Sequence, residues 1–136
     1  MAELLVPVSP GELYDKITIL RIKAARMTDP EKLKHVRHEL ALLEQTWADA
    51  GLERATIVAD LAALSAVNER LWDIEDRIRD LEREQRFDSE FIALARAVYL
   101  ENDARAAAKR RINVGLGASL VEEKSYRDYR RLERPG

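Results

Sequence analysis

Hydrophobic residues in the middle of the chain recur at alternating steps of three and four positions. That spacing is the a/d seam of a heptad pattern, which places one apolar stripe along a helix that faces another helix. The seam residues are Leu64, Val67, Leu71, Ile74, Ile78 and Leu81. Because neither proline nor glycine occurs between Gly51 and Gly115, the pattern predicts a long third helix from about residue 53 to residue 86, roughly 50 Å in length.

The sequence predicts a first helix with apolar residues on two sides. Ser9, Pro10 and Glu12 have the order of an N-cap, a first helical residue and the third residue of a capping box. The stripe that follows is Leu13, Ile17, Leu20, Ala24 and Met27. Ile19 and Ile22 lie on the opposite side, so we expect either a second protomer or the apolar N-terminal segment to cover them.

The second helix has two possible starts. Thr28 with Glu31 forms one capping box, whereas Asp29 before Pro30 gives a competing N-cap. The apolar stripe is Leu33, Val36, Leu40, Leu43 and Trp47. Gly51 supplies the left-handed residue that commonly follows a helix end.

A fourth helix is predicted from Asp88, which has the position of an N-cap, to a glycine-containing end near residue 115. Short capped turns join the helices, which favours antiparallel neighbours. The sequence therefore predicts an all-α fold in one domain: an antiparallel four-helix bundle of two helical hairpins with a long third helix and coiled-coil-like seams. The bundle takes residues 9–117, a short extended N-terminal segment takes residues 1–8, and a basic C-terminal tail takes residues 118–136.

Composition narrows the class of protein. The 136 residues contain no cysteine, which excludes disulfides and thiolate metal sites, and no apolar run reaches the roughly 18 residues of a membrane helix. The N-terminal residues lack the basic and apolar regions of a signal peptide, so we expect a cytoplasmic protein. The net charge of −2 is uneven: nine Arg or Lys and four Asp or Glu from Arg105 to Gly136 give +5, and the preceding residues carry −7. This asymmetry can mark a basic surface for an anionic partner.

Two groups of residues have spacings that metal ligands use. They are Glu31, His35, His38 and Glu39 in the second helix, and Asp73, Glu75 and Asp76 in the third. The first group lies opposite the apolar stripe of its helix, and the second interleaves with arginines. We therefore expect a solvated face and salt bridges respectively, with no metal and no cofactor.

Two further segments suggest anionic ligands. The glycines of segment 113–117 follow three basic residues, but they close a helix, whereas a phosphate loop normally opens one, so a C-cap is favoured. The tail from Tyr126 to Arg134 interleaves tyrosines with arginines, as nucleic-acid contacts do. Asp128 and Glu133 dilute that tail, so nucleic-acid binding is disfavoured.

Polar residues interrupt the apolar stripe of the fourth helix. Asn102, Arg105 and Lys109 continue the stripe at steps of three and four. In one interpretation the helix rotates there and turns these side chains outward, because long basic side chains reach solvent easily. In the other they line a polar pocket in the bundle, where the predicted hairpin places Asn68 opposite Lys109.

Two cations inside a bundle require counter-charge, because an unpaired buried charge is costly. Glu12, Asp15, Glu69 or Asp73 can supply it internally; otherwise a small bound anion supplies it. The residues predicted to bind that anion are Lys16, Asn68, Asn102, Arg105 and Lys109. No activated nucleophile, histidine base or metal is evident among them, so binding is favoured over catalysis and no catalytic residue is assigned.

Several segments together resemble a bacterial family catalogued only as a domain of unknown function. They are VSPGELYDKITILRIK (8–23), TDPEKL (28–33), LWDIED (71–76), FIALARAVY (91–99) with Asn102 and Asp103, KRRIN (109–113) and LVEEKSY (120–126). The resemblance covers most of the chain. It implies a small, mostly helical bacterial protein and implies no activity.

Three classes of function remain open. A non-enzymatic interaction or scaffold module that forms a homodimer through Ile19 and Ile22 is favoured. The alternatives are a protein, binder or enzyme, that takes a phosphate- or carboxylate-bearing ligand in the polar pocket, and a nucleic-acid accessory protein that acts through its tail.

Overall fold

The protein consists of four α-helices. The computed structural model describes residues 2–120, 122–123, 125 and 127–130. The helices are α1 (Pro10–Arg26), α2 (Pro30–Asp49), α3 (Val58–Arg83) and α4 (Ser89–Gly115). No β-strand occurs within the described residues, and the prediction of an all-α protein is confirmed.

The third helix is shorter than its sequence pattern predicts. α3 begins at Val58, about one and a half turns after the predicted start, and ends at Arg83. Before it, the chain makes a turn in which the Ile57 amide donates to the Arg54 carbonyl at 3.1 Å. This turn directs Ile57 into the core, where it is fully buried. Burial of that side chain outweighs the helix propensity of the preceding residues, which no glycine or proline marks as a boundary.

Side-chain caps fix the starts of three helices. Ser9 and Asp88 accept hydrogen bonds from the amides three residues ahead, at 3.2 and 3.4 Å, as predicted for α1 and α4. At α2 the carboxylate of Asp29 accepts hydrogen bonds from the amides of Glu31 and Lys32. The N-cap of α2 is therefore Asp29 and not Thr28. Pro30 then occupies the first helical position, where its fixed φ is compatible with a helix.

The turn between α3 and α4 depends on a non-glycine residue with positive φ. Gln85 has φ of +54° and follows the α3 cap residue. Its amide donates to the Glu82 carbonyl at 3.0 Å, and the Arg86 amide donates to the Leu81 carbonyl at 2.9 Å. These two bonds form a Schellman motif, which satisfies the last carbonyls of α3 and reverses the chain within a few residues.

α1 is the central helix of the fold. It packs against α2, α3 and α4, and α3 packs extensively against α4, whereas α2 packs against no helix except α1. The buried core cluster consists of Leu13, Ile17, Trp47, Ile57, Leu64, Ala108 and Ile112. α2 reaches this core through Trp47, whose ring centroid lies 5.0 Å from that of Tyr14.

α1 is buried on two sides by helices of its own chain. Ile22 is 6% exposed, so the prediction that it lies on an outer face is wrong, while Ile19 is half-buried. The reason is that α1 packs against α3 and α4 as well as against α2. Leu4 and Leu5 of the N-terminal segment are largely exposed and do not cover α1.

Ion pairs connect α3 and α4 along most of their length. Asp60 pairs with Arg111 at 2.7 Å near the start of α3, and Arg77 pairs with Glu90 at 2.7 Å near its end. Arg70 pairs with Glu101 at 3.0 Å between them. Residues near the start of α3 therefore pair with residues near the end of α4, and residues near the end of α3 pair with residues near the start of α4.

α1 and α4 approach each other most closely at Gly11. A Cβ atom at this position would lie 2.5 Å from the Lys109 carbonyl oxygen and 2.9 Å from Oδ1 of Asn113. The Gly11 amide donates to that same Oδ1 at 2.7 Å. The absence of a side chain at Gly11 therefore sets the distance between the two helices at this end of the fold.

We expect Gly11→Ala to lower the free energy of unfolding by about 2 kcal/mol, because the backbone of α4 must move to admit a methyl group. Gly115→Ala is the comparison variant: it also adds a methyl group to a helical glycine, but the atom it meets, at 2.7 Å, is Cγ2 of the buried Ile57 side chain and not backbone, so its loss should be smaller. Urea unfolding measures both variants. Equal losses in the two variants would contradict a special role for the Gly11 contact.

Candidate functional site

Polar residues of α1, α3 and α4 meet in one buried cluster. Asp15 is 1% exposed, and its Oδ1 accepts hydrogen bonds from Asn68 Nδ2 and from Arg105 Nε, each at 2.9 Å. Arg105 Nη2 also donates to the second carboxylate oxygen, so the ion pair is bidentate. Asn68 Nδ2 further donates to Thr18 Oγ1 at 2.7 Å, and this hydroxyl donates to the Asp15 carbonyl at 2.8 Å. Three helices therefore converge on the side chain of Asp15.

A second ion pair lies one turn further along α4. Lys109 Nζ is 2.8 Å from a carboxylate oxygen of Glu12 in α1 and 2.6 Å from one of Glu122, which follows α4. The Lys109 side chain is only 9% exposed. Its ammonium group thus has two carboxylate partners, one from each side.

Burial and pairing act in opposite directions on the ionisable groups. Burial alone would raise the pKa of Asp15, but hydrogen bonds from Arg105 and Asn68 and the charges of Arg105 and Lys109 hold it below its ordinary value. Burial would likewise lower the pKa of Lys109, yet its hydrogen bonds to Glu12 and Glu122 raise it. The hydrogen bond to Asp15 raises the pKa of Arg105. All three groups are therefore charged at neutral pH.

The cluster is neutralised from within the chain. Glu12 and Asp15 provide the internal counter-charge that the sequence offered as one of its alternatives. In the described part of the chain every buried side-chain nitrogen and oxygen has a hydrogen-bond partner. A network of this kind stabilises one arrangement of the helices, because sliding α1 along α4 would leave buried charges without partners.

The predicted ligand residues occupy different places. Asn68, Arg105 and Lys109 belong to or adjoin the cluster. Asn102 is exposed and lines an open groove beside α4 together with Arg105 and Lys109. Lys16 is exposed on α1, lies 3.8 Å from Glu12 and does not line this groove.

The sequence reasoning did not single out Thr18, and it assigned Asn113 only to the end of a helix. Gly11, Asp15, Thr18 and Ile22 are spaced by four, three and four residues and are all buried. This second stripe of α1, with two polar residues inside it, is the signal that could have located the cluster. On α4 the buried Asn113 follows the buried Lys109 by four residues and lies on the same face of the helix.

The two groups of residues with metal-ligand spacing, in α2 and α3, lie in exposed or salt-bridged environments. His35 and His38 are exposed on α2, on the side away from the buried Val36 and Trp47. Asp73 pairs with Arg26 and Glu75 with Arg79. No group of three or more His, Cys, Asp or Glu side chains within the described residues has a geometry that could hold a metal ion.

The structure describes all of the glycine segment 113–117 and part of the C-terminal tail. Gly117 has φ of +64°, and its amide donates to the Val114 carbonyl at 3.1 Å, so the segment is a C-cap of α4. In the tail, Arg127 and Tyr129 are exposed. Tyr126 and residues 131–134, on which the nucleic-acid hypothesis also depended, lie outside the described residues.

We expect Asp15→Asn to lower the free energy of unfolding by about 3 kcal/mol, because it leaves the partly buried Arg105 without its counter-charge. Asp73→Asn is the control, since this carboxylate also pairs with an arginine but is 67% exposed, and its loss should cost below about 1 kcal/mol. Urea unfolding at pH 7 compares the two variants. Similar losses would show that burial adds nothing to the Asp15 pair.

We also expect opposite pH dependences from the two buried ion pairs. The folded pKa of Asp15 lies below its ordinary 3.8, so its stabilising contribution is complete above that value and is lost as pH falls through the folded pKa. The folded pKa of Lys109 lies above 10.5, so its contribution is complete below that value and is lost as pH rises through the folded pKa. Urea midpoints measured across pH should fall less steeply on the acid side in Asp15→Asn than in the wild type. An unchanged acid limb would contradict this assignment.

No helix among the described residues has the length and apolar character required to cross a membrane.

Comparisons with known proteins identify a family but no activity. No curated protein and no solved structure matches the sequence. A model of a family of unknown function, DUF6165, matches residues 4–133, nearly the whole chain, and the protein therefore belongs to this family.

Proposed function

We propose that this protein is a non-catalytic interaction module that self-associates through the first two thirds of α4. In this proposal α3 and α4 form an antiparallel hairpin, and two such hairpins from two copies pack together as a four-helix arrangement. The internal neutralisation of the Asp15 cluster supports a structural use of the polar residues, since their charges are already paired within the chain.

The observation that carries the proposal is the distribution of burial along α4. The buried residues of this helix are Ala108, Lys109, Ile112 and Asn113, all in its last third. In the preceding part Ile92 and Leu100 are exposed, Phe91, Leu94 and Val98 are half-buried, and the exposed Tyr99 contacts Tyr129. A run of large apolar residues with no fully buried member suits a contact with another molecule.

The other helices of the chain end before they can cover this segment. Arg26, the last residue of α1, pairs with Asp73, so α1 stops beside the middle of α3. α2 packs against α1 and not against α4. The distal parts of α3 and α4 therefore form a two-helix arm, residues 74–100, that other helices of the same chain do not flank.

The composition of the α4 part of the arm favours a second copy as its partner. From Phe91 to Leu100 the only charged residue is Arg96, in a chain of which 35% is charged. A helix surface with so little charge does not select a highly charged partner such as nucleic acid. It suits an isologous contact, in which the same apolar patch is presented by both copies and Ala93 and Ala95 permit close approach.

We expect the wild type to sediment as a dimer and Ile92→Glu to sediment as a monomer, because the substitution buries a charge in the contact between copies. Val114→Glu is the matched control: Val114 lies in the same helix and is 65% exposed, compared with 57% for Ile92, but it is outside the arm. Sedimentation velocity at micromolar concentration distinguishes the two states. Helical circular dichroism verifies that both variants fold.

A wild-type protein that remains a monomer at all accessible concentrations would overturn the proposal. So would a dimer that Ile92→Glu leaves intact. A dimer broken equally by Val114→Glu would place the contact at the other end of α4.

A further inference from the structure

Charged residues of both signs line the groove beside α4. The groove has a volume of about 1290 Å³ and lies between α4 and described residues of the segment that follows it. The charged residues from α4 are Asp103, Arg105, Lys109 and Arg110, and those from the segment are Glu122, Glu123, Arg127, Asp128 and Arg130. Two ion pairs join the two sides, because Lys109 pairs with Glu122 and Arg110 pairs with Glu123 at 3.1 Å.

The two carboxylate partners of Lys109 are held very differently. Glu12 is part of α1, one turn after the Ser9 cap, and its position is fixed by the helix. Glu122 lies outside the helices, and its side chain is 61% exposed. Glu12 is thus part of a helix, whereas Glu122 belongs to none of the four helices.

The most buried cation that lines the groove has two carboxylate partners. The Lys109 side chain is 9% exposed and pairs with Glu12 and with Glu122. Glu122 lines the groove, whereas Glu12 does not. The Glu122 carboxylate is therefore the partner of Lys109 on the groove side.

We infer that the groove is a binding site for a carboxylate ligand and that Glu122 is an internal occupant which the ligand displaces. The ligand carboxylate takes the place of the Glu122 carboxylate on Lys109. The carboxylate contact at Lys109 does not depend on self-association, since Lys109 lies outside the two-helix arm.

The residues that line the groove also restrict which chemical group the ligand can carry beside its carboxylate. Tyr99 of α4 and Tyr129 of the segment both line it, and their ring centroids are 5.2 Å apart. A carboxylate that carries an aromatic or apolar group can pack against Tyr99 when the segment is displaced. A monocarboxylate replaces the Glu122 carboxylate charge for charge, whereas a phosphate dianion places an additional negative charge near Glu12. A free aromatic acid and the C-terminal carboxylate of a peptide share this chemistry.

The test compares the full-length wild type with Glu122→Gln and with Glu123→Gln. Glu123→Gln is the matched control, because it removes a neighbouring carboxylate whose partner Arg110 is exposed and whose pairing is worth little. The probes are benzoate, which represents a free acid, N-acetylphenylalanine, which represents a peptide C terminus, and inorganic phosphate. Titration calorimetry at constant ionic strength measures each affinity.

We expect Glu122→Gln to bind one of the two carboxylate probes about tenfold more tightly than the wild type, because a charged competitor has been removed from Lys109. The probe that gains more identifies whether the source is a free acid or a chain end. Glu123→Gln should change affinity by less than about twofold. Lys109→Met should abolish binding in a protein whose circular dichroism is unchanged.

Equal carboxylate affinities in the wild type, Glu122→Gln and Glu123→Gln would overturn the inference, and so would phosphate binding as tight as that of benzoate. The comparison of the two glutamate variants changes only residues outside the helices, so the outcome stands even when Lys109→Met does not fold.

Discussion

The arrangement of three helices depends on the carboxylate of Asp15. It belongs to α1 and is nearly inaccessible to solvent, and α3 and α4 each donate a hydrogen bond to it through Asn68 and Arg105. The apolar stripes alone would permit neighbouring helices to shift by one turn at modest cost, because aliphatic side chains tolerate many packing partners. The bidentate pair with Arg105 tolerates only one register, since any shift leaves two desolvated charges apart. Gly11 reinforces the same register, because only there can the α1 backbone approach the Lys109 carbonyl.

Much of the fold could be predicted from local rules. The caps at Ser9 and Asp88 and the left-handed Gly51 depend on short-range hydrogen bonds and backbone sterics, which the sequence shows directly. The start of α3 could not be predicted, because the burial of Ile57 is a tertiary effect with no glycine or proline to mark it. The positive φ of Gln85 could not be predicted either, because glutamine, unlike glycine, does not indicate that conformation.

The site was predictable in its chemistry and less so in its geometry. Arg105 and Lys109 interrupt an apolar stripe, which correctly indicated that α4 brings cations towards other helices, and Glu12 and Asp15 were among the expected counter-charges. Lys16 was misplaced because one helical position, about 100° of rotation, separates it from Asp15 and turns it to solvent. Ile22 was assigned to an outer face because the pattern of one helix cannot tell how many neighbours it has.

The attachment of α2 has a consequence for the dynamics of the protein. This helix packs against α1 and no other helix, and its two buried residues are Val36 and Trp47. Because its backbone approaches α1 alone and Trp47 is its main link to the core, α2 can detach as a cooperative unit while the Asp15 network keeps α1, α3 and α4 together. Amide protons of α2 should therefore exchange through local opening, at a lower free energy than those around Asp15. Such an opening uncovers Tyr14 and the core beneath Trp47, so a chain that is otherwise folded transiently exposes its most apolar surface.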